Sequence, residues 1–206
     1  REICDRHELL LILDEVITGF GRTGALFAYE HWDIRPDIIS LAKGATSGYL
    51  PLGATVVTPR VFDAFRGDSE DDREFSQVAT YGGHPVACAA ALANLQILTE
   101  ERLWENSARV GKYLLEKLAG LQDLLIVGDV RGIGLMMAIE LVKPDQTSMD
   151  TATTNRVVSM MRDEGILIGK ISHTMDEPEN TILVAPPLIL TTAEADRIAD
   201  TLDVVL

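Results

Sequence analysis

Two apolar runs end in residues that can do chemistry. The first, Leu9 to Leu13, stops at Asp14 and Glu15, and the second, Ile38 to Ala42, stops at Lys43 and Gly44. Neither run alternates, which is how a strand buried on both faces of a parallel sheet reads. Open parallel sheets gather ligands at the carboxyl ends of their strands, so a carboxylate and an amine at two such ends are candidate site residues. A hydroxyl follows at Thr80, close to the double glycine Gly82 and Gly83. Together these residues suit pyridoxal phosphate (PLP): a lysine condenses with its aldehyde, an acid keeps its pyridine nitrogen protonated, and hydroxyls or backbone amides hold its phosphate. For a lone lysine a solvated surface charge is the plain reading. A lysine that closes an apolar strand is different, because burial there would favour the uncharged, nucleophilic amine. The plain alternatives for Asp14 and Thr80 are a helix cap or surface acid and a capping hydroxyl ahead of Pro85.

A second pattern competes. Gly19, Gly21 and Gly24 spell G-x-G-x-x-G directly after the first run, the fingerprint of a dinucleotide site and of an NAD-dependent oxidoreductase. The rest of that fingerprint is missing. Pro36 limits the following segment, Leu26 to Trp32, to a short helix, and the second run closes with Lys43 where a ribose-binding acid should stand; Asp33 and Asp37 precede that run. The glycines then read as a loop with special backbone angles beside a ligand. The oxidoreductase reading also leaves Lys43 and Thr80 without a role.

The elements that must position these residues follow from periodicity and breakers. Arg1 to Glu8 reads as the last turns of a helix, and the chain's start at Arg1 suggests a fragment. Gly53 to Val57 reads as a third strand, Pro59 to Phe65 as a helix, and Gly67 to Glu74 as a solvated loop. An alanine-rich helix opened by Pro85 runs to Leu98. An amphipathic helix from Glu101 to Leu118, with Leu103, Val110, Leu114 and Leu118 near one face, completes a bridge between two lobes. The remainder reads as strands Leu124 to Val127 and Leu135 to Val142, the latter entered through Arg131 to Gly134. A helix from Thr153 to Glu164, strands Ile166 to Ile168 and Thr181 to Ala185, and a helix from Thr192 complete a small α+β lobe.

Composition excludes several functions. With 18 Lys and Arg against 32 Asp and Glu, the net charge of −14 would repel a nucleic-acid backbone. The apolar runs are too short to cross a bilayer. Two cysteines, Cys4 and Cys88, make no disulfide framework, so a reducing cytoplasm is the expected setting. His7, His31, His84 and His173 lack metal-ligand spacing, and no metal is implied. Trp32, Trp104, Met136, Met137, Met160 and Met161 read as packing residues.

Three motifs also carry a resemblance. LLILDEVITGFGRTG (Leu10 to Gly24), DIISLAKGATSGYLPLG (Asp37 to Gly53) and TYGGHPVACAAALANL (Thr80 to Leu95) resemble the class III, or ω-, aminotransferases, a branch of the fold-type-I PLP enzymes. GDVRGIGLMMAIELV (Gly128 to Val142) and APPLILT (Ala185 to Thr191) extend it over almost the whole chain. The resemblance implies an α/β fold. Residues 1–110 would be the C-terminal part of the PLP-binding large domain, mainly parallel sheet with helices and including the bridging helix, and 111–206 a small C-terminal α+β domain. By the same resemblance Asp14 matches the aspartate that pairs with the pyridine nitrogen, and Lys43 the Schiff-base lysine that also shuttles a proton. Val16 matches the residue that packs on the cofactor ring. Thr80 matches the threonine that reaches the phosphate of the neighbouring subunit, which implies a homodimer with a shared active site.

The implied reaction is transfer of an amino group from an ω-amino acid, amine or aminosulfonate to a keto acid such as pyruvate. A PLP aminomutase or decarboxylase would use the same Asp14 and Lys43. Many members carry a carboxylate-binding arginine after a strand of the small domain. Here Gly169 and Lys170 stand at that place, a pair resembling taurine:pyruvate-type aminotransferases, and Lys170 offers a point charge without arginine's bidentate fork. The family's N-terminal half has no counterpart in these 206 residues. The fragment alone is therefore expected to be inactive, with apolar faces uncovered near Leu9 to Leu13 and on the Ala87 to Ala93 helix.

Overall fold

The two apolar runs of the first half become neighbouring strands. In a computed structural model, which describes residues 1–68, 70–77, 79–171 and 179–206, β1 (Ile12–Asp14) runs parallel to β2 (Ile38–Leu41), with Asp14 opposite Ser40. β2 then pairs antiparallel with β3 (Ala54–Val57). The sheet is thus mixed, with one parallel and one antiparallel pairing, where a mainly parallel sheet was expected. The chain divides into two units, Arg1–Gly21 with Ala25–Arg102, and Arg22–Gly24 with Leu103–Leu206.

In the first unit, α1 (Glu2–Arg6) precedes β1. The Asp37 carboxylate accepts the Leu11 N–H at 2.8 Å and the Arg1 guanidinium at 2.7 Å. These two bonds, the amide's first, hold Asp37 below the usual carboxylate range. Ala28–Trp32 forms a 3-10 turn where a short helix was expected, and α2 (Pro59–Asp63) and α3 (Pro85–Glu100) each open on the proline that the sequence marks as a helix start. The first run is not buried on both faces: Leu9, Leu10 and Ile12 are 55%, 43% and 59% exposed, in line with the uncovered apolar face expected there of these 206 residues alone. Ladder hydrogen bonds, rather than burial, define β1 in this chain. On α3, Ala87 and Ala91 are buried whereas Val86, Leu92 and Ile97 are exposed.

The second unit has the larger core. α4 (Leu103–Ala119) buries Val110, Leu114 and Leu118 completely, as its 3.6-residue periodicity requires. An antiparallel sheet in the order β4 (Val127–Ile133), β5 (Met136–Leu141), β7 (Thr181–Val184), β6 (Gly169–Lys170) packs Met137, Ile139, Leu141, Ile182 and Val184 into the same core. α5 (Thr151–Asp163) and α6 (Thr192–Val205) add Val157, Met161, Ala195, Ala199 and Leu202. Asp150 caps α5 by accepting the Thr153 N–H at 2.8 Å, and Thr191 with Glu194 forms a reciprocal capping box on α6.

Strand boundaries here depart from expectation. Arg131 to Ile133, read as part of the entry to the next strand, belongs to strand β4, and the strand's glycines are explained by crowding rather than by turns. A Cβ at Gly128 would lie 2.5 Å from Val142 Cγ1, and one at Gly132 would lie 2.7 Å from the Met136 oxygen. The turn itself is Gly134–Leu135, with Gly134 at φ +56°. Ile166 to Ile168 is not a strand; pairing falls on Gly169 and Lys170, opposite Leu183 and Ile182.

Candidate active site

The parallel pairing of β1 and β2 sends Asp14 and the chain leading to Lys43 out of the same end of the sheet. After β2 the backbone enters a 3-10 turn, Lys43–Ala45, with Lys43 at φ +34°. A left-handed backbone costs a non-glycine residue about 1–2 kcal/mol, so neighbours must hold it. The Ala45 N–H reaches the Ala42 carbonyl at 2.9 Å and the Thr46 N–H the Lys43 carbonyl at 3.2 Å. Buried Thr46 donates its hydroxyl to Leu50 O at 2.6 Å. Gly44 lies against Phe20, where a Cβ would come within 2.9 Å of Phe20 Cβ and 3.1 Å of the ring. Asn94 of α3 donates to the carbonyls of Gly44 at 2.8 Å and Ala45 at 3.1 Å.

Lys43 lines an open cleft of about 720 Å³ with Ala42, Thr46, Ala79, Tyr81 and the Gly82–Gly83 pair. The expected burial of Lys43 is not found: its side chain is exposed, and among the described residues it makes no hydrogen bond or ion pair. Thr80 is exposed and sits between two residues of the cleft wall, Ala79 and Tyr81. Asp14 is also exposed, and one carboxylate oxygen accepts the Val16 N–H at 2.9 Å, which fixes half-buried Val16 just beyond it. Asp14, Val16, Lys43 and Thr80 all belong to the first unit. Lys170 belongs to the second, where it is half-buried on β6 and ion-paired with Glu179.

The structure adds residues that the sequence did not single out. Glu15, next to Asp14, is 2% exposed and accepts three hydrogen bonds: the Thr18 hydroxyl at 2.5 Å and the N–H groups of Ala28 and Tyr29 at 3.0 and 2.9 Å. It ties the chain after β1 to the 3-10 turn. A second acid immediately after Asp14 was the available signal, although nothing in its type separates an anchor from a surface charge.

The glycine run is not a nucleotide loop. The next element after it is the 3-10 turn from Ala28, where the fingerprint requires the start of an α-helix. A Cβ at Gly19 would lie 2.8 Å from the Glu15 oxygen, and one at Gly24 would lie 3.0 Å from Ala108. These glycines are required by close packing of protein on protein. Among the described residues no cluster of His, Cys, Asp or Glu could hold a metal, and no helix is long and apolar enough to cross a membrane. His173 lies outside the described residues.

A parallel strand pair that sends Asp14 and the chain leading to Lys43 to one end of an α/β sheet, with Lys43 at a glycine-lined cleft, is the arrangement that the resemblance to fold-type-I PLP-dependent enzymes implies. Comparison with known proteins specifies the family. The sequence model of the class-III aminotransferases matches residues 1–206, and the chain belongs to that family. It is 48% identical over 202 residues to an uncharacterised aminotransferase, YhxA, of Bacillus subtilis, covering 97% of this chain and 45% of that protein. It is 46% identical over 207 residues to a taurine–pyruvate aminotransferase of Bilophila wadsworthia, covering 98% of this chain and 45% of that protein. Among solved structures, the PLP-bound amine transaminase of an uncultivated Pseudomonas species superposes with a TM-score of 0.90 at 43% identity, over 100% of this chain and 46% of that one. The chain therefore spans a little under half the length of the curated relatives it matches. Enzymes of this family use PLP.

Proposed function

We propose that the protein is an aminotransferase that moves an amino group from an ω-amino acid, amine or aminosulfonate to a keto acid such as pyruvate, with Lys43 and Asp14 as its catalytic residues. The observation that carries this reading is Lys43: an amine without a partner among the described residues, on a backbone held at φ +34°, at the wall of a cleft. The residues present fit PLP. The cleft offers one amine, a hydroxyl-bearing segment at Thr80 and a double glycine, and Gly83, at φ +67°, has no atom within 4 Å of a Cβ position. When bound, the cofactor supplies an aldehyde carbon for nitrogen exchange and a pyridine ring that takes up the electrons of a breaking C–H bond.

The protein's own residues do the rest. Lys43 Nζ would hold the cofactor and, as a free amine, would take a proton from the substrate carbon as base and give it back as acid. The Asp14 carboxylate would pair with the cofactor's ring nitrogen and favour its protonated form, and half-buried Val16 would pack on the ring. The Thr80 hydroxyl binds the phosphate held by a second copy, so the working unit is a homodimer.

The choice of donor rests on the small unit and on the relatives. By the resemblance Gly169 takes the place of a carboxylate-binding arginine and Lys170 is next to it, and the ion pair of Lys170 with Glu179 makes an incoming carboxylate or sulfonate compete for it. The similarity to taurine–pyruvate aminotransferases supports an aminosulfonate or ω-amino acid donor with pyruvate as acceptor. The nicotinamide reading loses its support, because the Gly19–Gly24 run is filled by protein. Borohydride reduction of the PLP-loaded protein followed by peptide mapping tests the proposal. A phosphopyridoxyl group on Lys43, absent from Lys43→Ala, is the expected result. No adduct in a folded, cofactor-saturated protein would overturn it. A panel of taurine, β-alanine and a simple arylamine with pyruvate then reads the donor class.

A further inference from the structure

The turn that carries Lys43 is not held by its own ladder alone. Asn94 stands among small and apolar residues on α3, and both ends of its amide reach into that turn. Nδ2 donates to the carbonyls of Gly44 and Ala45 at 2.8 and 3.1 Å, and Oδ1 accepts the Ser47 hydroxyl at 2.5 Å. One side chain therefore fixes three of the four residues that follow Lys43. Two carbonyl acceptors on one side and a hydroxyl donor on the other also leave a single orientation of the amide that satisfies every partner. The segment needs such a fixture: Lys43, Ser47 and Gly48 lie at φ +34°, +50° and +79°. Residues other than glycine keep that conformation only where their surroundings over-determine it.

We infer that Asn94 is a positioning residue for the Lys43 amine, locking the backbone of Gly44 to Ser47 so that Lys43 is presented at the cleft. The consequence for cofactor binding rests on the PLP reading above; the locking of the turn does not. Asn94→Ala removes both halves of the clamp. Asn94→Asp keeps the acceptor for Ser47 and replaces the donor with a carboxylate facing two carbonyls. Ser47→Ala removes only the acceptor-side partner.

Two readouts, made on the full chain, separate a positioning role from a merely structural one. In the cofactor-free protein, amide exchange at Ala45 and Thr46 should quicken about tenfold in Asn94→Ala and Asn94→Asp, the loss expected of a hydrogen bond of ordinary strength. It should quicken less in Ser47→Ala and stay unchanged in the second unit. In protein titrated with PLP and trapped with borohydride, the PLP concentration giving half-maximal labelling of Lys43 should rise about tenfold in both Asn94 variants, and kcat should fall with little change in KM for the amine donor. Unchanged exchange at Ala45 and Thr46 would overturn the inference. So would quickened exchange with wild-type labelling of Lys43, which is the outcome of a structural stitch. No label on Lys43 in the wild-type protein would overturn the cofactor reading instead, and the exchange comparison would then decide whether Asn94 holds the turn.

Discussion

Gly44 is the point at which a single methyl group should reach Lys43. Its φ is not left-handed, so alanine is allowed by the backbone, and the barrier is Phe20 alone: a Cβ at position 44 would lie 2.9 Å from Phe20 Cβ, 3.1 Å from Cδ2 and 3.4 Å from Cγ. Phe20 cannot move freely, because it is 8% exposed and its ring packs edge-on against Phe27 at 5.5 Å. Overpacking a site of this kind costs about 1–3 kcal/mol. The overlap is only a few tenths of an ångström per atom, which places Gly44→Ala near 1–2 kcal/mol. Phe20→Gly removes all three atoms and suits the φ of +57° at that position. Loss of the buried ring costs about 3–5 kcal/mol, less about 1 kcal/mol for relief of the left-handed backbone. In the Phe20→Gly background Gly44→Ala should be close to neutral, a coupling of about 1–2 kcal/mol between the two sites. Exchange free energies at the Ala45 and Thr46 amides report the turn locally, without requiring the whole protein to unfold in one step. Labelling of Lys43 by borohydride trapping should fall in Gly44→Ala and recover in the double variant. Equal costs of Gly44→Ala in both backgrounds would refute the reasoning.

Three further outcomes follow from other contacts. Glu15→Gln leaves one acceptor oxygen where the carboxylate offered two, so the N–H of Ala28 or of Tyr29 faces an amide nitrogen; a loss of about 2 kcal/mol is expected in the stability of the first unit by denaturation. Gly111→Ala should improve helix propensity by about 1 kcal/mol yet destabilise the second unit by about 2 kcal/mol net, because the new Cβ would lie 2.1 Å from the Gly134 oxygen and 2.3 Å from its carbonyl carbon; a stabilised protein in urea melts followed by Trp104 fluorescence would contradict this. The Asp196 carboxyl is held below its ordinary 3.8 by the Lys117 ammonium and then by the Tyr113 hydroxyl, at 2.6 Å each. A depressed acid contributes stability that is complete above its unfolded value and is lost as pH falls through the folded one. The urea midpoint should therefore drop below about pH 4, and the drop should be shallower in Asp196→Asn.

What could be read in the sequence was which residues follow the two strands, and what could not was the means of holding them. Asp14 and Lys43 announce themselves because each ends an apolar run, and β1 and β2 do lie parallel, one beside the other. The helices α3 to α6 were legible from prolines, caps and 3.6-residue spacing. Asn94, Glu15 and Phe20 were not, since each works through partners made adjacent only by folding: Asn94 through Gly44, Glu15 through Ala28, Phe20 through Gly44 again. Glycine misled at Gly132, read as part of the entry to a strand: it is a strand position where the facing backbone leaves no space, so tertiary crowding overrides local propensity. The first run is suited to two-sided burial yet lies exposed, as expected of these 206 residues alone, and the expected burial of Lys43 is not found either. An unbroken apolar run states what a strand is suited to touch, not what this chain places against it.

The Gly19–Gly24 run shows how a motif can be real in spelling and empty in meaning. Residues 22–24 pack with the second unit, although the chain on either side of them belongs to the first. Arg22 donates to the carbonyls of Leu135 at 2.9 Å and Pro186 at 2.5 Å, and burial pulls its pKa below the ordinary value. Its own carbonyl accepts the Leu135 N–H at 3.0 Å and the Ser107 hydroxyl at 3.1 Å. A segment so densely bonded must come close to its neighbours' backbone, and closeness is what glycine permits: Gly24 abuts Ala108, and a Cβ at Gly134 would lie 2.3 Å from the Thr23 carbonyl carbon. A phosphate-binding loop needs the opposite, free N–H groups pointing at open space at a helix start. The same residue type thus serves either end, and only the environment of the missing Cβ separates them. At Gly83 that position has no atom within 4 Å, whereas at Gly19 and Gly24 it is occupied by protein. The open glycine belongs to the Lys43 cleft, so its surroundings there are empty where those of Gly19 and Gly24 are filled.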